Sequence, residues 1–228
     1  MKIGIIGAGH IGGTLAQQLV VLGHEVLIAN SRGPETLVDV AASTGARAAT
    51  HEDAVRDADL VILTIPLGKI PSLPAGLFDT RRPGAPIVDT NNYYGQRDGR
   101  IVALLDGTFA AESRWVEQQI GAPVVKAFNN MIAQRLIDLA QPEGAPGRVA
   151  LPVFGDDPHT KAVVMQLVET LGFDAIDGGS IDESWRIEMG TPGFTTDLGA
   201  ADLRRALSAA KVEQTARYRE SARSSSPK

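Results

Sequence analysis

The chain has 228 residues, 43% of them hydrophobic and 21% charged, with 22 Lys and Arg against 27 Asp and Glu, a net charge of −5 at pH 7 and no cysteine. That length fits one large domain, or one domain and a smaller companion. It excludes disulfides, thiolate catalysis and Cys-based metal sites, offers no basic surface to nucleic acid or an anionic membrane, and contains no apolar run long enough to span a bilayer. No signal-peptide pattern precedes the first apolar run. The expectation is a cytoplasmic protein with a small-molecule partner, no nucleic acid and no membrane.

Ile3, Ile5 and Ile6 form a first apolar run, followed by Gly7-Ala8-Gly9-His10-Ile11-Gly12, a G-x-G-x-x-G. Leu15, Leu19 and Leu22 continue at helical spacing, Gly23 marks a helix stop, and Val26-Leu27-Ile28-Ala29 is a second run. A strand, a glycine turn, a helix and a second strand are the context in which this fingerprint binds a dinucleotide. Gly7 permits the tight turn, Gly9 lets the backbone approach a pyrophosphate, and Gly12 lets the helix pack closely on the strand. The N–H groups and dipole of the helix's first turn then bind the pyrophosphate. His10 lies inside the turn, where its backbone N–H serves whatever its side chain does.

The second strand ends in Asn30-Ser31-Arg32, where an NAD site carries an acid for the ribose 2′-hydroxyl. Without the acid, Arg32 can pair with a 2′-phosphate and Ser31 can add a hydrogen bond, so the sequence favours NADP, with Asn30, Ser31 and Arg32 as expected cofactor contacts. The bland alternative is that Arg32 is an ordinary solvated charge.

Pro34 to Ala42 reads as a helix, Ala46 to Thr50 as a short strand and His51 to Val55 as another helix start. Asp59 to Pro66 holds a nearly continuous apolar run, as a parallel strand covered on both faces does. Ligands lie beyond the carboxyl ends of such strands, which places Ile65, Pro66 and Leu67 beside the nicotinamide half of the cofactor. Pro86 to Thr90 is the next strand and ends in Asn91-Asn92-Tyr93-Tyr94. Two readings stand for these groups: ligand contacts, with Asn91 foremost, or a hydrogen-bonded turn.

A helix is expected over about Glu112 to Gln119, then a strand over Ala122 to Phe128, with Ala127 and Asn129 among the expected cofactor contacts. Lys126, the one charge in that run, either faces the cleft or reaches to water. Ala150 to Phe154 and Phe173 to Asp177 read as strands around a helix marked by Val163, Leu167 and Leu171. Asp156-Asp157 reads as a helix cap rather than a metal site. Ile181 to Glu188 has helical character, Met189 to Phe194 is a loop able to cover a cleft, and Asp202 to Tyr218 reads as one helix.

The fold expected is α/β, a doubly wound, mostly parallel sheet over residues 1–178, with a helical extension over 179–220 that completes the cleft and a disordered Ser-rich tail over 221–228. The extension could close the sheet or form a homodimer contact. No Ser-His-acid set, zinc pattern or Walker loop is present, so no residue is assigned a catalytic role and none a metal. Hydride exchange between two ring cofactors needs only alignment and exclusion of water.

Several motifs resemble one family. They are Met1–Gly13, Gly23-His24-Glu25-Val26, Asn30-Ser31-Arg32, Leu63-Thr64-Ile65-Pro66, Val124-Val125-Lys126-Ala127-Phe128-Asn129, and Gly155-Asp156-Asp157 before a helix. The chain resembles the NADPH-dependent oxidoreductases that act on the 5-deazaflavin coenzyme F-420, over Met1 to about Asp177. The resemblance implies a Rossmann fold, NADP as cofactor and coenzyme F-420 as second substrate. It implies that backbone around Ala8–Ile11 holds the pyrophosphate, that Ser31 and Arg32 hold the 2′-phosphate, and that Ile65-Pro66 flanks the nicotinamide. Asn91-Asn92-Tyr93-Tyr94 and the stretch after Pro192 depart from the family pattern. The residues themselves leave two alternatives open: reduction of another small acceptor (flavin, quinone, imine or metal chelate), or a redox sensor that binds NADP without turnover.

Overall fold

The structure, a computed structural model, describes residues 1–224. Eight strands form one sheet: β1 (Lys2–Ile6), β2 (Glu25–Ala29), β3 (Arg47–Ala49), β4 (Leu60–Leu63), β5 (Ile87–Asp89), β6 (Val125–Lys126), β7 (Ala150–Phe154) and β8 (Asp174–Gly179). Their spatial order is β3-β2-β1-β4-β5-β6-β7-β8. The first six run parallel. β7 pairs with β6 in the opposite sense through Lys126 and Phe154, and β8 is parallel to β7. This is the doubly wound arrangement expected, with the strand order reversing between β1 and β4.

The inner strands are largely apolar on both sides because both sides are covered, whereas the edge strands β3 and β8 expose Arg47 and Asp177. Side chains alternate by the strand's period of two. Ile3, Ile5, Ile28, Ile62 and Val88 share one core with Leu15 and Leu19. Ile6, Leu27, Val61, Leu63 and Ile87 share the other with Ala54, Val55, Trp115 and Val116. The helices are α1 (His10–Val21), α2 (Val38–Thr44), α3 (His51–Val55), α4 (Gly95–Asp98), α5 (Val102–Leu105), α6 (Glu112–Ile120), α7 (Arg135–Asp138), α8 (Pro158–Thr170), α9 (Ala200–Ala209) and α10 (Val212–Ser224). The first turn of the helix expected from Pro34 is 3-10, over Pro34–Leu37, and Ile181–Ile187 is 3-10 as well. Asp157 caps α8, accepting from the Thr160 amide at 2.7 Å.

The C-terminal segment differs from the single helix expected. Ala210 takes extended dihedrals that end α9, and the Gln214 side chain accepts from the Lys211 amide at the start of α10. Leu203 and Leu207 anchor α9 on the core, whereas α10 buries Thr215 and Arg219 and packs against α4 and α5. The boundary expected after residue 178 falls inside β8, one residue short of its end. Helix α10 continues through Ser224, past the tail boundary expected at Ser221; the rest of that tail, 225–228, lies outside the described residues. Among the described residues no helix is long and apolar enough to cross a membrane.

Gly4 sits in the middle of β1, where a Cβ would stand 2.1 Å from the Ala54 carbonyl oxygen of α3. Helix and strand therefore touch through backbone. Gly4→Ala must push them apart, and the expected loss is about 1–3 kcal/mol of unfolding free energy, read from urea denaturation. An unchanged midpoint would show that α3 can shift freely.

Candidate active site

The glycine turn divides its three glycines between two tasks. Gly7 has φ +119°, and a Cβ there would lie 2.0 Å from the Thr64 carbonyl oxygen. A Cβ on Gly12 would lie 2.0 Å from the Gly7 carbonyl oxygen. These two let α1 seat on the ends of β1 and β4. A Cβ on Gly9 would meet nothing within 4 Å: the space beside it is open. Gly9 caps α1 without a side-chain hydrogen bond, and the amides of His10, Ile11 and Gly12 have no acceptor among the described residues. A dipole-favoured group of donors thus faces open space, the cradle a pyrophosphate requires.

At the end of β2, Asn30 organises the next turn. Its Oδ1 accepts from the Arg32 amide at 2.9 Å, and its Nδ2 donates to Thr36 Oγ1 at 2.9 Å. Ser31 and Arg32 are exposed, and the Arg32 guanidinium has no ion-pair partner among the described residues. Asn30 shapes the loop; Ser31 and Arg32 are the side chains free to meet a ligand.

Beside the first turn of α1 and the ends of β4, β5 and β6 lies a cleft of about 620 Å³. Gly9, His10, Ile11, Ile65, Pro66, Asn91 and Asn129 line it, together with Asn92, Tyr94, Arg97, Phe128 and Ile132. Phe194 and Thr195, from the loop after Met189, form part of the far wall. No carboxylate is among the lining residues. Two lining residues, Phe128 (φ +63°) and Thr195 (φ +52°), take the left-handed conformation without being glycine, a strained state that persists only where the surroundings enforce it. Leu67 and Ala127, expected beside the cofactor, do not line this cleft: both are fully buried in the two cores. Pro66 is exposed and caps a 3-10 helix, Leu67–Ser72, whose first residue Leu67 turns into the core. Ala127 instead donates its amide to the Asp89 carbonyl.

The Asn91–Tyr94 wall is held by carboxylates. Asp89 Oδ1 accepts from the Asn91 amide at 2.9 Å, Glu112 Oε2 from the Tyr93 amide at 3.0 Å, and Asp98 Oδ2 from the Tyr94 amide at 2.8 Å. Asn92 and Asn129 clasp one another: Asn92 Nδ2 donates to the Asn129 carbonyl at 2.7 Å, and Asn129 Nδ2 donates to Asn92 Oδ1 at 3.0 Å. So the amide pairs serve partly as the hydrogen-bonded turn. Arg97 donates to the Asn92 carbonyl at 2.8 Å and lies over the Tyr94 ring, 4.6 Å from its centroid. Burial keeps the Tyr94 phenol above its ordinary pKa. Sequence reading assigned no role to Arg97 or Phe128; the spacing of a short loop carries no signal for either.

Lys126 reaches neither cleft nor water. It is fully buried, 3.1 Å from Asp89 Oδ2, and also donates to the Asn91 carbonyl. Ser113 Oγ donates to the same Asp89 oxygen at 2.7 Å. Nearby, Glu188 accepts from the Glu112 amide at 2.6 Å and from Arg219 Nη2 at 2.6 Å. Burial raises both glutamates above the ordinary carboxylate range. Glu188 is pushed up to about 8 by burial and by the neighbouring Glu112 charge, against the pull of Arg219 and Lys126.

This gives a pH dependence with a definite sign. Folded Glu188 keeps its proton to about pH 8, whereas an unfolded carboxyl loses it near 4.5. Between those values the folded chain binds more protons, so its contribution to stability falls as pH rises and levels off above about 8. Glu188→Gln lacks that slope. The difference in melting temperature between variant and parent should move in the variant's favour from about pH 5 to 8, then stay constant. Parallel curves would show that Glu188 is ionised throughout.

Comparison with known proteins agrees with this geometry. Residues 2–93 match the family model described as "NADP oxidoreductase coenzyme F420-dependent". The F420-dependent NADP reductase of Methanothermobacter marburgensis is 30% identical over 208 residues, covering 84% of this chain and 90% of that protein. A 70-residue stretch is 47% identical to protein YjhV of Escherichia coli, and spans 31% of this chain and about half, 51%, of that relative's length. Protein SMa0349 from Sinorhizobium meliloti superposes with a TM-score of 0.69 at 29% identity, covering 88% of this chain and 96% of that one. The chain belongs to the family of coenzyme F420-dependent NADP oxidoreductases.

Proposed function

We propose that this protein is an oxidoreductase that transfers hydride between NADP(H) and the deazaflavin coenzyme F-420. The observation that carries the cofactor half is a continuous path across the strand ends. Arg32, with no ion-pair partner among the described residues, stands past β2 at one end, the uncapped amides of His10–Gly12 past β1 in the middle, and the cleft beyond Ile65 and Pro66 past β4 at the other. A 2′-phosphate, a pyrophosphate and a nicotinamide are the groups that fit these three stations. Sequence relatives named F420-dependent NADP reductase support the second substrate.

NADPH supplies the hydride when bound. The residues of this chain have the simpler tasks of stacking, aligning and drying two rings. Ile11, Ile65, Pro66, Phe128 and Ile132 give the cleft its apolar faces. Asn91, Asn92 and Tyr94 give it polar edges, fixed by the carboxylates beneath. The absence of a carboxylate from the lining residues suits a reaction between rings, in which alignment does most of the work. A cytoplasmic location belongs to the same proposal, as does the lack of nucleic acid or membrane as partner, which the net charge of −5 supports.

Mixing the protein with NADPH and oxidised coenzyme F-420 should bleach the deazaflavin absorbance band in step with NADPH oxidation. A constant band, with NADPH binding confirmed separately, would retain the nucleotide site and remove the deazaflavin. Arg32→Ala should weaken NADPH binding about tenfold to a hundredfold, the worth of a charge-assisted hydrogen bond, and leave NADH nearly unchanged. Equal losses for both would sink the 2′-phosphate assignment.

A further inference from the structure

Arg219 lies on α10, 126 residues in sequence from Tyr93, yet only one side chain separates the two in space. It is 4% exposed. Its guanidinium donates to the carbonyls of Leu104, Phe109 and Ala110 at 3.0–3.2 Å and to Glu188 Oε2 at 2.6 Å. The same Nη2 stands 3.7 Å from Glu112 Oε1. Glu112 is held at both ends: its backbone amide donates to Glu188, and its other carboxyl oxygen receives the Tyr93 amide. Tyr93 Oη in turn donates to the Gly99 carbonyl at 2.8 Å, beyond α4. The chain of contacts therefore runs Arg219, Glu188 and Glu112, Tyr93, and then the cleft-lining neighbours Asn92 and Tyr94.

Charge explains why one guanidinium matters here. Three carboxyls (Asp89, Glu112, Glu188) share this buried space with two cations (Lys126, Arg219). Lys126 is committed to Asp89 and the Asn91 carbonyl. That leaves Arg219 as the cation in contact with the glutamate pair. Arg219 bridges the pair, donating to Glu188 Oε2 and standing beside Glu112 Oε1, in the arrangement that leaves Glu112 facing the Tyr93 amide; without it two buried carboxyls lose their shared donor.

We propose that Arg219 is a positioning residue for the cleft: through Glu188 and Glu112 it fixes the backbone at Tyr93, and with it the wall of Asn91, Asn92 and Tyr94, for the nicotinamide ring. This rests on reading the cleft as the nicotinamide half of the NADPH site. The C-terminal helix is thereby part of the binding machinery without touching the ligand. A purely structural Arg219 would dock α10 and affect every ligand equally. A positioning Arg219 affects the ring and spares the phosphate end at Arg32.

The test uses two ligands on the full-length protein. Adenosine 2′,5′-bisphosphate reports the Arg32 end alone; NADPH reports both ends, and its nicotinamide fluorescence reports the cleft. Arg219→Met should weaken NADPH tenfold or more and abolish its fluorescence change on binding, with the bisphosphate within twofold of the parent. Arg219→Lys keeps the charge but loses the fork and cannot reach all four acceptors, so it should show the same split at about threefold or more; it carries the test if Arg219→Met does not fold. Parallel weakening of both ligands, or NADPH affinity and fluorescence within twofold of the parent in a folded variant, overturns the proposal. Both readouts use NADPH alone, so failure to reduce the deazaflavin leaves them intact.

Discussion

The approach of α1 to the ends of β1 and β4 is the constraint on which the site depends. Backbone touches backbone there, because Gly7 and Gly12 leave no room for a Cβ. An ordinary residue at either place would lift the helix from the sheet. The first-turn amides would then point elsewhere, and the turn at Thr64–Pro66 would lose its neighbour. The cores on both faces of the sheet hold this junction in place. They bury Leu15 and Leu19 under one side and Val61 and Leu63 under the other. The donors at the helix end can stay unsatisfied because they open onto space rather than protein.

The second half of the site depends on a different kind of force. The Asn91–Tyr94 segment leaves β5 and must hold an irregular path beside an open cleft, where no ladder supports it. Buried carboxylates take the place of the ladder, and buried cations make the carboxylates tolerable. Such pairs contribute little net stability, since desolvation offsets most of the attraction, but breaking one leaves a charge stranded. Their value here is directional: each fixes one amide of the wall.

Much of this was legible in the chain itself. Most strands appear as apolar runs, because a strand covered on both faces has few polar positions to confuse the reading, whereas the edge strands β3 and β8 carry Arg47, Asp174 and Asp177 and read less plainly. The spacing alone also separates Gly7 and Gly12, which are crowded by backbone, from Gly9, which opens onto space. The errors have physical causes. Leu67 opens a 3-10 helix and Ala127 follows β6, and both turn into the cores, so nearness in sequence to a strand end is not nearness to the cleft. Lys126 finds Asp89 on the neighbouring strand, 37 residues away, and Arg219 finds Glu188 across 31; periodicity says nothing of such meetings. The break between α9 and α10 escaped because Ala210 is a good helix former whose extended conformation is imposed by packing.

The reversal of β7 and β8 gives the molecule two unlike rims. Six parallel strands deliver their exits to the cleft. β7 and β8 deliver theirs to the opposite rim, about 16 Å away for a five-residue strand, where Arg114 ties Asp156 to Asp182. Chemistry and connection are thereby separated by the height of the sheet. The connections at Gly155–Pro158 and Gly179–Ile181 are thus the natural places to graft a linker, a fluorophore or a fusion partner, since whatever hangs from them faces away from both nucleotide and acceptor.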